Sequence, residues 1–339
     1  MRIQNLTVRN FRSLVDVDIP LHPLNVVIGP NGSGKTALIE VLLLLQRDSR
    51  RELTEFFDER GGFQAVLSQR SGRAGSTRLE VQAEIVNGGP DGGPDDNGRS
   101  VYVLAVQGVG YVYQAAKESY RAAPSVQEFF AGANYYQFID VTPRSSVRLP
   151  QSLTPASTPG AQGESLYSAL YNLRINDLDL YDRLLGIVAQ AFPGFKQFEF
   201  PVVGAGQVTL TWYDKCCTQP FYPNQLSEGT LRFLWLLTLL FTAPRASLLL
   251  IDEPETSLHP ELLRILAALL QEAALETQIV VATHSSDLIS WLQPEEVLIA
   301  DKEDGQTRFT WADTLNLQSW LAEYSLRDLW LMGHLGGRP

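Results

Sequence analysis

Cysteine is nearly missing from this chain. The two present, Cys216 and Cys217, are adjacent, and one such pair offers neither a disulfide framework nor a zinc spacing. They read as reduced, structural thiols. Histidine is sparse as well, with four residues and no ligand spacing among them. No apolar run is long enough for a membrane: the greasiest stretch, Leu231 to Phe241, is interrupted by Arg232 and reads as a buried helix. Positive charge is in deficit. At a net charge of −11 the surface as a whole attracts neither nucleic acid nor an anionic membrane, so any DNA contact needs a local basic patch. The segment Met1–Asn5 lacks the apolar core of a signal peptide. Internal repeats and sustained heptads are absent too, which excludes a long coiled coil. What remains is the expectation of a soluble, cytoplasmic protein with no membrane partner, whose 339 residues suffice for a sizeable core and one or two domains.

Against these absences stands one dense motif. Gly29-Pro30-Asn31-Gly32-Ser33-Gly34-Lys35-Thr36 reads G-x-x-x-x-G-K-T, the phosphate-binding P-loop. The apolar Leu24–Ile28 before it suits a buried strand, and the Leu-rich Ala37–Leu45 after it suits a helix. Glycines allow close approach to a phosphate, because no Cβ intervenes. Backbone N–H groups at the helix start then face the anion, favoured by the helix dipole. Lys35 is expected to reach the β- and γ-phosphates of ATP, and the Thr36 hydroxyl to hold Mg²⁺.

Strand-like alternation covers residues 1–28 around Asn10-Phe11-Arg12-Ser13-Leu14. Arginines crowd residues 47–78 (Arg47, Arg50, Arg51, Arg60, Arg70, Arg73, Arg78) with acids interleaved. Two readings stand for this stretch, a solvated mixed-charge surface and a face for duplex DNA. Leu79–Ile85, Val101–Val106 and Val109–Tyr113 predict an antiparallel sheet, with a flexible loop at 87–100. A short helix is expected at 125–130, a strand at 135–141 and an exposed loop at 150–163. Helical periodicity over 164–191 breaks near Asn176, and 198–213 reads as two strands about Gly204-Ala205-Gly206. From Leu231 the pattern changes. Helices at 231–241, ended by Pro244, and at 260–275, with Pro at its first turn, alternate with short apolar strands at 247–251, 279–282 and 297–300. That alternation signals a parallel α/β core. A hairpin turns at Asp304-Gly305, and helices follow from Leu317.

The last third supplies what a P-loop requires. An apolar strand ends in Asp252 and Glu253. Asp252 suits Mg²⁺ bound through water, and Glu253 suits a base that orients and activates the attacking water. His284, after the next strand, is placed to sense a γ-phosphate and hold that water. Ser227, in Leu226-Ser227-Glu228-Gly229-Thr230, is a natural N-cap for the following helix, and a hydroxyl and a glycine at a helix N-terminus also make an anion site.

Taken together, these motifs resemble the ABC-type ATPases of the SMC/RecF-like branch. Asn10–Leu14 looks like their N-terminal strand signature, Gly29–Thr36 is similar to their Walker A, and Leu226–Thr230 to their signature motif. Asp252-Glu253-Pro254-Glu255 resembles Walker B, Thr256–Pro260 the D-loop, and His284 the switch histidine. Gln137 looks like the Q-loop glutamine that joins Thr36 and Asp252 at the metal. The run Trp320–Leu326 and the terminal Gly336-Gly337-Arg338-Pro339 are similar to compact stand-alone predicted ATPases of that branch. Ser-Glu-Gly, where transporter subunits have Ser-Gly-Gly and Gln, favours the SMC/RecF side. The resemblance implies an α/β P-loop NTPase fold: an ABC-type head with an antiparallel β subdomain and a mainly helical signature lobe. Residues 1–124 and 246–339 would form the nucleotide-binding lobe and 125–245 the signature lobe, with neither coiled-coil arms nor a fused nuclease. It further implies that two heads sandwich two ATP molecules, with Ser227, Glu228 and Gly229 of one against the γ-phosphate on the other. The protein is thus expected to be a slow ATPase and an ATP-dependent homodimer. It would work on duplex DNA in repair or defence, or alternatively on a separately encoded effector such as a nuclease or toxin; a transporter subunit is the weakest of the three uses.

Overall fold

The computed structural model describes residues 1–69, 78–86, 99–109, 112–116, 124–137, 139–242, 246–321 and 323–336. Chain order begins β1 (Arg2–Phe11), β2 (Leu14–Pro20), β3 (Leu24–Ile28), α1 (Lys35–Ser49), α2 (Leu53–Asp58), α3 (Phe63–Val66) and β4 (Arg78–Val86). It continues β5 (Arg99–Val109), β6 (Val112–Ala116), α4 (Pro124–Ala131), β7 (Asn134–Tyr136), β8 (Gln151–Ser152), α5 (Leu166–Asn176) and α6 (Leu178–Ala191). Then come β9 (Phe195–Glu199), β10 (Val202–Gly204), β11 (Gln207–Val208), β12 (Thr211–Asp214), α7 (Glu228–Thr242), β13 (Leu248–Asp252) and α8 (Pro260–Ala273). The last elements are β14 (Gln278–Ala282), α9 (Ser286–Ile289), β15 (Val297–Glu303), β16 (Gln306–Trp311), α10 (Gln318–Leu321) and α11 (Leu326–Leu331). The loop expected at 87–100 lies almost wholly outside the described residues, as do Arg70, Arg73, Pro244 and Gly337–Pro339.

Two compact units emerge, one of residues 1–135, 246–252 and 274–339, the other of 136–245 and 253–273. The first holds an antiparallel sheet ordered β2-β1-β4-β5-β6 and the strands of a second sheet, β16-β15-β3-β14-β13-β7. In the second sheet β13, β14, β3 and β15 run parallel, and β16 returns antiparallel to β15. The sequence reflects this difference. Strand β4 alternates buried and part-exposed residues along its length, as a strand with one wet face must, whereas β3, β13 and β14 are buried at every position. Helix α1 is buried on nearly all sides, from Ala37 to Gln46, and touches β1 of one sheet and β13 and β14 of the other.

Buried amides stitch this unit where backbone pairing stops. The Gln278 side chain accepts from the Ile3 N–H at 2.8 Å and donates to the carbonyls of Ile3 and His22 at 2.8 and 3.0 Å. Asn25, fully buried, accepts from His22 N and donates to the His22 and Ile279 carbonyls. His22 in turn stacks on Trp311, with ring centroids 3.9 Å apart.

The second unit is mainly helical. Helix α7 is buried over most of its surface and meets α5, α6 and α8. Phe192, Phe195 and Phe198 pack edge to face on Trp212, Phe195 and Phe198 meet at a tilt, and Phe192 carries the cluster to Phe233 on α7. Residues 195–214 differ from the two-strand expectation. Four short strands form, β9 with β12 and β10 with β11, because Pro201 and the Gly204–Gly206 turn divide the run. The strand expected over 135–141 stops at Tyr136. Helices α2 and α3 lie in the arginine stretch, where alternating charges hid the apolar positions Phe56, Phe57, Phe63 and Val66 that anchor them.

Replacing Gln278 with Leu should cost about 2–4 kcal/mol, because it strands the buried Ile3 N–H and C=O without partners. Urea unfolding of the variant against the parent checks this; an unchanged midpoint would mean that the stitch contributes nothing.

Candidate nucleotide-binding site

Parallel pairing fixes the frame of the site. Asp252 stands opposite Ala282, and Ala282 opposite Val27, so the last residues of β13, β14 and β3 form one row. Strands in a sheet lie ~4.8 Å apart, which sets Asp252 about 10 Å across the sheet from Val27. Gly29 follows β3 by one residue, and Thr283-His284 follow β14 directly. The P-loop, Asp252 and His284 therefore leave the sheet at the same carboxyl edge, where open α/β sheets bind their ligands.

The loop itself is shaped by close approach. Gly29 (φ 147°) and Gly34 (φ 111°) hold backbone conformations that a side chain disfavours, and a Cβ would collide with the Ala300 carbonyl at Gly29 and with the Thr307 side chain at Gly34. Asn31 and Gly32 form the exposed tip. Lys35 is buried, and its ammonium donates to the carbonyls of Gly29 at 2.7 Å and Pro30 at 3.0 Å, which holds the charge over the loop. Thr36, in the first turn of α1, is exposed. No side-chain hydrogen bond caps α1 among the described residues, and the Ser33 hydroxyl is buried with no hydrogen-bond partner there. A helix start leaves its first backbone N–H groups without intrahelical partners. An uncapped start beside a buried cation and an orphaned hydroxyl fits a bound polyphosphate.

Asp252 is buried and accepts a hydrogen bond from the Tyr135 hydroxyl. Burial, then the carboxylates of Asp252 and Glu40, push the Tyr135 phenol well above its ordinary pKa, so it stays a donor. Glu40, one turn past Thr36 on the same face of α1, takes Arg12 at 2.9 Å and Arg60 at 3.2 Å. Arg60 also lies 3.9 Å from the centre of the Phe56 ring. Thr36 and Asp252 offer the hard oxygen ligands that Mg²⁺ takes, and Mg²⁺ is usually held by one or two such side chains plus phosphate oxygens. The donor set fits that ion, although no cluster of three or more acidic, histidine or cysteine ligands occurs among the described residues. Arg12, Ser13, Ser68, Gln69, Lys302 and Gly305 line a cavity of about 470 Å³ in this unit.

The remaining candidates lie in the second unit. Glu253 is exposed at φ 50°, a left-handed conformation that costs a residue other than glycine on the order of 1–3 kcal/mol and turns the chain sharply after Asp252. Ser227 caps α7: its hydroxyl accepts from the Thr230 N–H at 3.1 Å and lies 2.7 Å from the Thr230 hydroxyl. Glu228 is exposed in the first turn of α7. Gly229 presses on the segment after Glu253, and a Cβ there would come within 2.6 Å of the Ser257 carbonyl. Only glycine lets α7 start this close to that loop. Gln137 is exposed just past β7.

Among the described residues, Arg47, Arg50 and Arg60 of the arginine stretch are engaged by other groups of the protein. Arg47 pairs with Glu52 and Glu59, and Arg50 donates to the Ala131 and Ala133 carbonyls. Arg60 is held by Glu40 and Glu59. Sequence spacing revealed neither these pairs nor Tyr135, Glu40 and Thr307, whose contacts all join distant parts of the chain.

A parallel sheet with a P-loop, an acid and a histidine at one edge has the layout of the P-loop NTPase fold. The comparisons narrow it. The family described as "AAA domain, putative AbiEii toxin, Type IV TA system" matches residues 133–290, and an AAA ATPase domain family matches residues 1–84. An OLD nuclease of Thermus scotoductus is 43% identical over 54 residues, 16% of this chain and 10% of that protein. The DNA replication and repair protein RecF of Lacticaseibacillus casei is 38% identical over 88 residues, 24% of this chain and 23% of that protein. The matches thus span less than a quarter of these curated relatives. A crystal structure of an SMC head bound to the C-winged helix domain of ScpA aligns over 95% of this chain and 100% of that one, with TM-score 0.62 and 17% identity, which shows a shared fold. These matches, with the fold shared with SMC heads, support an SMC/RecF-like ABC-type ATPase. No helix among the described residues is long and apolar enough to cross a membrane.

Gly34→Ala should destabilise the fold by about 1–3 kcal/mol through backbone strain and the collision with Thr307. Chemical denaturation without nucleotide measures this, and parent-like stability would show that the loop tolerates a side chain.

Proposed function

We propose that this protein binds and slowly hydrolyses ATP with Mg²⁺, and that ATP joins two of its heads into a dimer. The observation that carries the reading is the uncapped start of α1, with the buried Lys35 ammonium and the orphaned Ser33 hydroxyl beside it. Loop amides and Lys35 take the β- and γ-phosphates, and the neighbouring cavity at Arg12, Ser13 and Lys302 has room for the nucleoside. Thr36 and Asp252, joined by Gln137, would hold Mg²⁺, which when bound neutralises charge on those phosphates. Glu253 accepts a proton from water as its oxygen attacks the γ-phosphorus; the bond to the ADP oxygen breaks and phosphate leaves. His284 holds that water. The nucleotide-binding lobe is 1–124 with 246–339, and the signature lobe is 125–245. Ser227, Glu228 and Gly229 at the start of α7 offer a second helix N-terminus to the γ-phosphate of the partner head.

The segment matches to RecF and OLD nuclease support a cytoplasmic role in DNA repair or in defence against foreign DNA. A second reading is a switch on a separately encoded effector protein. It draws support from the internal engagement of Arg47, Arg50 and Arg60, which withdraws three cations from any phosphate backbone, and from the toxin in the matched family's description. Stimulation of hydrolysis by duplex DNA favours the first reading; its absence, with a protein co-purifying on the Glu253→Gln variant in ATP, favours the second.

Lys35→Ala should weaken ATP binding by well over tenfold, on the order of 2–3 kcal/mol of charge-assisted bonding. Calorimetric affinity equal to the parent's would sink the P-loop assignment.

Glu253→Gln should still bind ATP but hydrolyse it about 10²–10⁴-fold more slowly, the usual worth of a positioned base. Trapped ATP should then shift it from monomer to dimer in light scattering, and adding Ser227→Arg should abolish the shift. A variant that stays monomeric at saturating ATP refutes the two-head arrangement, and a parent-like rate refutes the role of Glu253.

A further inference from the structure

We infer that Thr307, on the β15–β16 hairpin, is a positioning residue for the phosphate-binding loop; the inference rests on the nucleotide reading above and extends it to a residue outside every recognised motif. Thr307 is 2% exposed, on the inward face of β16. Its backbone N–H donates to the Ser13 carbonyl at 2.9 Å. Its hydroxyl lies 2.7 Å from the Ser13 hydroxyl and 2.7 Å from the Ser33 carbonyl oxygen. A hydroxyl has one proton, and a carbonyl can only accept. Thr307 therefore donates to Ser33, and Ser13 donates to Thr307. The chain Ser13, Thr307, Ser33 has one direction and every partner in place.

Its consequence for the loop follows from peptide geometry. A peptide unit is planar and trans, so its C=O and N–H point to opposite sides. Pinning the Ser33 carbonyl on Thr307 turns the Gly34 N–H away from β16. Gly34 is the N-cap of α1, so this amide belongs to the set that meets an anion at the helix start. The side chain of Thr307 fills the volume a Gly34 Cβ would need, so the loop backbone rests directly on it. Thr307 also stands opposite Lys302 in the hairpin register, and Lys302, Gly305 and Ser13 line the adjoining cavity. One threonine thus holds the phosphate amides in register with the cavity wall.

The test is ATP binding by calorimetry, with Mg²⁺ and again in EDTA, for the parent, Thr307→Val and Thr307→Ser. Valine keeps the shape and removes the hydroxyl; serine keeps the hydroxyl. Thr307→Val should bind ATP about tenfold more weakly in both conditions, a factor worth ~1.4 kcal/mol, because the oriented amide meets phosphate with or without the metal. Thr307→Ser should stay within about threefold of the parent, since the hydrogen bond carries the effect. Parent-like binding by Thr307→Val overturns the inference, and so does equal weakening in both variants, which would make Thr307 mere packing. A parent that binds no ATP overturns the nucleotide reading itself, whereas the other failures leave that reading intact.

Discussion

Backbone N–H groups at the start of a helix need partners, and among the described residues no side chain caps those of α1, although Ser33 and Lys35 beside them are buried. Much else in the first unit follows from that need. Gly29 and Gly34 must be glycines because the Ala300 carbonyl and Thr307 press on them. Lys35 is folded over the loop by two carbonyls, which keeps a cation where the amides converge. The parallel register then brings an acid and a histidine to the same edge, so the site is a consequence of strand pairing as much as of any motif.

Charge near the loop is managed by pairing. Glu40 sits between Arg12 and Arg60, and Tyr135 donates to Asp252. A carboxylate with a donor already aimed at it has less freedom to rotate, which suits an outer partner of a metal site, where such contacts orient the ligands. An acidic protein can thus keep cations near the loop without presenting a basic face.

Motifs and strand ends were legible in the sequence because each is local. Apolar runs of four or five residues bounded by polar ones marked β3, β13, β14 and β15, and residues 166–191 broke into two helices at Asp177, beside the expected Asn176. Ser227 caps α7 as its hydroxyl suggested, although α7 begins at Glu228, a turn before its apolar run. What escaped lies at long separation. Gln278 meets Ile3 across 275 residues, and Thr307 meets Ser33 across 274, so no period or spacing announces either contact. The arginines of 47–60 left two readings open for a related reason: composition counts charges but cannot say that Glu52 and Glu59 already hold Arg47.

Strand β3 carries the P-loop, yet both its neighbours, β14 and β15, belong to the last quarter of the chain. Asn25 bonds the Ile279 carbonyl 254 residues away. At ~5–20 residues per second, the emerging strand waits on the order of 10–50 s during synthesis with both edges open. An apolar strand in that state is a template for wrong pairing. The buried amide of Asn25 has a second meaning in this light: a polar group within the run makes mispairing with an apolar strand costly until the Ile279 carbonyl arrives.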